Sequence, residues 1–139
     1  MGTFLAVTVF GLFGAASAQR DEAKDTPNPI DSALEKCLAG KHATLPRAEC
    51  YSAAEEAWEK DVKDTYPKVL KAIPPKFLPS FKSSQLAWES YRNSQEQFYA
   101  AKSAGQKGTG YIAPRIIQNI NIWKPRALFL EGLLETYKN

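Results

Sequence analysis

Few side chains in this sequence have the type and spacing that chemistry requires. There is one histidine, His42, in a stretch of turn-forming residues. A lone imidazole with no nucleophile or carboxylate at a useful spacing reads as a solvated loop residue rather than a catalyst. Glu55/Glu56 and Glu59/Asp61 are paired carboxylates, but Lys60 and Lys63 are interleaved with them. That pattern reads as a mixed-charge solvated helix face before it reads as an acid/base pair. "GQKGTG" holds Gly105, Gly108 and Gly110 without the preceding strand or the spacing of a phosphate loop, so it reads as a linker. The two cysteines, Cys37 and Cys50, could pair as a disulfide or remain buried thiols; in an exported chain the pairing is the expected state. Oxidised, they could not serve with His42 as metal ligands, because the ligand is thiolate. The stretch "SSQLAWESYR" sets Gln85 and Arg92 on the helix face of Trp88. A glutamine and an arginine beside a large aromatic mark either a buried polar arrangement or a surface that touches a partner. A buried guanidinium must be paired, so Arg92 is expected to reach acceptors on another element and Gln85 to bridge two helices, a structural role before a binding one.

The elements that would position these residues are helical. Residues 1–18 stand apart: Phe4–Phe13 is apolar and uncharged, and Ala16-Ser17-Ala18 follows as a small-residue cleavage pattern. This reads as a signal peptide, with a short membrane anchor or a buried helix as alternatives. It is shorter than the ~20 residues that span a bilayer, so no stable membrane span is expected after cleavage. Residues 19–29 are charged and proline-containing and read as a flexible leader to a single domain, 30–139. A short helix capped by Asp31 or Ser32 and ended by Gly40 is expected first. A second helix over 48–73 carries Trp58, Val62, Val69 and Ile73 at spacings of three and four, with a kink near Lys63–Tyr66 caused by Pro67. A third runs from Pro79–Ser80 to Ala101 with Phe77, Phe81, Trp88, Tyr91 and Phe98 on its inner face, and a fourth spans Ala113 to Tyr137. The fold class is therefore all-α: a small antiparallel bundle of three long helices and one short N-terminal helix, with one disulfide. The net charge is +3, from 18 basic and 15 acidic side chains. Lys and Arg are scattered, which argues against nucleic-acid binding, where a concentrated basic stripe is needed.

Taken in order, Cys37, Cys50, Tyr66, Phe81, Gln85, Trp88, Tyr91, Arg92, Gly108 and Arg126 resemble the pattern of the LprI-like lysozyme inhibitor domain family, over residues 33–135. Asn93 stands where family members often carry Asp. Trp123 stands where the last helix usually has Thr, and a second cysteine pair common in the family is missing. The resemblance implies a small exported helical protein, periplasmic or secreted, that binds another protein. The lone His42 and the lack of a nucleophile–base pair add the expectation of no cofactor, metal or enzymatic activity. Tyr66, Gln85, Trp88, Tyr91, Arg92 and Arg126 are then its motif residues, structural or binding. The implied partner is a lysozyme-type muramidase. An envelope assembly protein or a toxin-immunity protein that binds another periplasmic protein is the alternative. For a chain with a +3 charge, an acidic face of Glu55, Glu56, Glu59 and Asp61 would have to supply any steering toward a cationic muramidase.

Overall fold

The computed structural model describes residues 26–138; the expected signal peptide lies outside them. Four helices follow one another: α1 (Pro29–Leu38), α2 (Thr44–Ala72), α3 (Leu78–Ser103) and α4 (Ile112–Thr136), with a single 3₁₀ turn at Pro75–Phe77. The described residues contain no strand. The all-α bundle read from the periodicity is the fold observed.

Local sequence explains each boundary. Asn28, rather than Asp31 or Ser32, caps α1: its side-chain oxygen accepts from the Ile30 N–H at 2.9 Å, and Pro29 fills the first turn, where its missing donor costs nothing. α1 therefore starts at Pro29, the residue expected to end the leader. Gly40 follows α1 with φ 72°, a conformation an L side chain resists. α2 begins at Thr44, four residues before the first buried alanine, and continues as helix through Pro67. Pro74 and Pro75 stop it, and Gly105 and Gly108, with φ 80° and 83°, turn the chain between α3 and α4.

Consecutive helices are antiparallel. Ile30 and Cys37 of α1 lie beside Ala57 and Cys50 of α2, Tyr66 of α2 meets Phe81 of α3, and Gln85 of α3 meets Arg126 of α4. An up-down-up order makes α2 and α4 parallel, and these two form the main packed pair. Trp58, Val62 and Val69 from α2 meet Ile120, Trp123, Ala127 and Leu130 from α4; Trp58, Val69, Ala127 and Leu130 are all 0% exposed. Close approach of two parallel helices needs a small residue at the contact, which Ala54 and Ala127 supply.

α1 is held at three points. Ile30 and Leu34 pack on the core, and Lys124 of α4 pairs with Asp31 at 2.7 Å. The third is the disulfide Cys37–Cys50, with Cα atoms 5.7 Å apart. It closes a loop of 13 residues, short enough that it removes about 3 kcal/mol of chain entropy from the unfolded state. Replacing both cysteines by Ser is expected to cost ~2–5 kcal/mol in denaturant unfolding. Intact protein under non-reducing mass spectrometry should lack two hydrogens. Two freely alkylated thiols in protein recovered from an oxidising compartment would refute the bridge.

α3 departs from expectation. Only Phe81 and Gln85 are buried along its length. Phe77, Tyr91 and Phe98, expected on its inner face, are 40%, 53% and 58% exposed. The reason is topological: α3 packs mainly on α4, and among the described residues no further helix covers its other flank. Its inner stripe is the narrower series Phe81, Gln85, Trp88 and Arg92.

Candidate functional site

Helical spacing of three and four puts Gln85, Trp88 and Arg92 in one row on α3. The same spacing puts Trp123 and Arg126 in register on α4. The antiparallel seam between the two helices interleaves them. The Trp88 and Trp123 rings meet edge to face, with centroids 5.3 Å apart at 67°. Arg92 stacks its guanidinium 4.7 Å from the Trp123 ring centre and 5.5 Å from that of Trp88. Arg126 lies 5.6 Å from the Trp88 ring centre and 4.9 Å from that of Phe129. Two cations and two indoles thus share the seam, and each cation gains from the negative face of a ring.

The two arginines are not equivalent. Arg126 is buried, 8% exposed, and its Nε and Nη2 donate to the Gln85 Oε1 at 3.1 and 2.7 Å. The Gln85 Nε2 in turn donates to Glu89 at 2.9 Å. Gln85 thereby joins α3 to α4 and passes the Glu89 charge toward Arg126 through an amide. Burial holds the Arg126 guanidinium below its ordinary pKa, opposed by the Tyr66 phenol and by Glu89. Arg92 is the half-buried one. Its Nε and Nη2 donate to Asn93 on its own helix at 3.2 and 2.7 Å, and Glu96 stands 3.9 Å away. The acceptors expected from another element are not there; the other element offers the Trp123 face instead. This corrects the structural assignment by exchanging the two residues: the buried, amide-bonded guanidinium is Arg126. Arg92→Ala is accordingly expected to cost only about 1 kcal/mol, the order of one part-exposed cation–aromatic contact, and Arg92→Lys less. Thermal unfolding checks this; a loss of several kcal/mol in the alanine variant would return Arg92 to a buried pairing role.

The seam opens on two sides. One mouth is a polar groove of about 540 Å³ among α2, α3 and α4, lined by Glu55, Glu59, Lys63, Arg92, Glu96, Arg115 and Asn119. Asn119 donates to Glu55 at 2.9 Å and Lys63 to Glu59 at 2.5 Å. Burial raises the Glu55 pKa; the Asn119 bond lowers it, Glu96 raises it, Arg115 lowers it and Glu59 raises it. The other mouth is a groove of about 400 Å³ on the outer face of α3 and α4, lined by Trp88, Tyr91, Asn121, Pro125, Arg126 and Phe129. An apolar hollow of about 250 Å³ lies apart, under α1 beside the disulfide.

The acidic face expected along α2 does not exist as one surface. Glu55 and Glu59 line the polar groove, and Glu56 turns toward Leu45 and Ile112. Asp61 turns toward Glu131, whose pKa is raised by burial and by the facing Asp61 carboxylate. A helix advances about 100° per residue, so neighbours in sequence cannot share one face.

The sequence-marked residues fall into three places. Gln85, Trp88, Tyr91, Arg92 and Arg126 gather at the seam, Tyr91 at the rim of its outer groove. Tyr66 lies at the edge of the core with its ring 5.5 Å from that of Phe81, and Cys37 and Cys50 join α1 to α2 away from the seam. His42 is exposed in the α1–α2 loop. Glu89 and Phe129 were missed as seam partners. Glu89 could have been found four residues beyond Gln85; Phe129 comes from α4 and had no local signal.

The family model described as Lysozyme inhibitor LprI matches residues 36–124, which takes in the disulfide and most of the seam. A comparison with curated proteins finds no match. Among solved structures, an uncharacterized protein from Burkholderia thailandensis superposes with a TM-score of 0.74 at 25% identity, over 81% of this chain and 57% of that one. The chain thus spans little more than half the length of that protein.

Proposed function

The chain belongs to the lysozyme inhibitor LprI family, and from this premise we propose that it is an exported, non-enzymatic binding protein of the bacterial envelope that inhibits a lysozyme-type muramidase. The family match over residues 36–124 carries the reading. The disulfide Cys37–Cys50 supports export, since such bonds persist in oxidising compartments. Among the described residues no helix is long and apolar enough to cross a membrane. Inhibition asks only that a surface occlude a cleft, and the seam provides residue types that dominate such contacts: Trp88, Tyr91, Arg92 and Arg126. With a net charge of +3 and its carboxylates dispersed, the protein gains little long-range attraction toward a cationic enzyme. The expected dependence is therefore on short-range contacts, with modest sensitivity to salt.

The test is residual cell-wall hydrolysis by a panel of muramidases in the presence of the purified mature protein. Stoichiometric inhibition of at least one enzyme is expected. Full activity of every enzyme at micromolar excess of the protein would overturn the proposal.

A further inference from the structure

We infer that the outer groove of the α3–α4 seam is a carboxylate-binding site, in which the free end of the Arg126 guanidinium receives an acidic side chain projecting from a protein partner. The inference deepens the proposed function, and rests on it only for the identity of that partner.

A guanidinium offers five N–H groups in a fixed plane. Arg126 gives two of its nitrogens to one oxygen, the Gln85 Oε1. Its Nη1 has no hydrogen-bond partner among the described residues, and Arg126 forms no ion pair among them. The nearby Glu89 is held by the Gln85 amide instead. A cation that is 8% exposed thus has the Glu89 charge only at second hand, no direct ion pair among the described residues, and donors to spare. A carboxylate that met the free end would gain a charge-assisted hydrogen bond there.

The walls say what kind of ligand. The rings of Trp88 and Phe129 stand 5.6 and 4.9 Å from the guanidinium, and Tyr91 and Phe129, 53% and 47% exposed, form an aromatic rim. Among the described residues the groove holds no other cation. A polyanion would find one charge and an apolar rim, whereas a single carboxylate on an alkyl stem finds a planar fork below and ring surface around it. Because Arg126 is recessed, the ligand must project: a Glu or Asp side chain on a convex partner surface fits.

The experiment titrates the mature protein with 3-phenylpropionate, which carries a carboxylate and a ring, and with the uncharged 3-phenylpropionamide. The Arg126 Nε–H resonance reports by NMR. A saturable shift with the acid, at least about tenfold weaker with the amide, is expected; this corresponds to about 1.4 kcal/mol for the charged pair. Equal response to both, or none to the acid, overturns the inference. So does concentration-dependent movement of the same resonance without ligand, which would make a second copy of this chain the occupant. Arg126→Lys, which keeps the charge and loses the fork, should abolish the acid-specific response, read in that variant from the Trp88 indole N–H because the Arg126 reporter is gone. The Tyr91→Ala/Phe129→Ala double variant alters exposed rings only and keeps the test valid if Arg126→Lys fails to fold; it should weaken acid binding severalfold, and unchanged binding counts against the site. In the muramidase assay the same double variant should inhibit at least about tenfold less well. An uninhibited panel with acid-specific binding intact refutes the muramidase reading and leaves this site standing. Full inhibition by the double variant refutes the site's role and leaves that reading standing.

Discussion

Gln85→Leu is expected to lower the unfolding free energy by about 2–4 kcal/mol, more than its own two hydrogen-bonding functions would suggest. The substitution removes the acceptor of two Arg126 N–H groups at 3.1 and 2.7 Å and leaves a guanidinium that is 8% exposed without an acceptor. It also frees Glu89, which loses its 2.9 Å bond. Arg126→Met should cost less, because it orphans only a neutral amide and fills the space between Trp88 and Phe129 with a flexible apolar chain. The decisive variant is the double, Gln85→Leu with Arg126→Met. Removing both polar partners together is often close to neutral, so it should recover most of the stability, to within about 1 kcal/mol of wild type. Urea unfolding of the four proteins closes the cycle. Additive losses in the double variant would mean that the two residues do not act as a pair.

The second large effect is at Trp58, 0% exposed at the centre of the α2–α4 contact. Trp58→Ala should cost about 3–5 kcal/mol, through lost transfer energy and the cavity left behind. Its indole N–H is buried without an acceptor among the described residues. Trp58→Phe therefore gives up volume but no hydrogen bond, and should cost only about 1–2 kcal/mol. Lys124, whose Nζ lies 5.5 Å from the ring centre while bonded to Asp31, keeps an aromatic face in the Phe variant and loses it in the Ala variant. The Ala variant should thus also loosen α1, seen as faster hydrogen exchange around Asp31 than in Trp58→Phe. Equal cost for the two substitutions would show that the ring's size and face contribute little to packing.

The sequence by itself determined the helices and their order. Apolar side chains at spacings of three and four along α2 and α4, with proline and glycine between elements, leave one secondary structure that can bury them. It also favoured the disulfide over buried thiols, since two cysteines in a chain read as exported have one pairing available, and the structure shows that bridge. Which arginine is buried was decided only by the tertiary structure. Arg92 and Arg126 both follow large aromatics at helical spacing, and nothing local separates them. The phase of α4 against α3 does: it sets Arg126 over Gln85 and turns the Trp123 face to Arg92. The same holds for the α3 aromatics. Tyr91 and Phe98 have core-like types, yet whether they are covered depends on a neighbour, and the packing of α2 directly on α4 leaves none on that flank. Helical periodicity is a property of consecutive residues and is legible along the chain. Burial, counter-ions and free donors depend on what stands opposite, and here the residues opposite lie up to 93 positions away, as Lys124 does from Asp31.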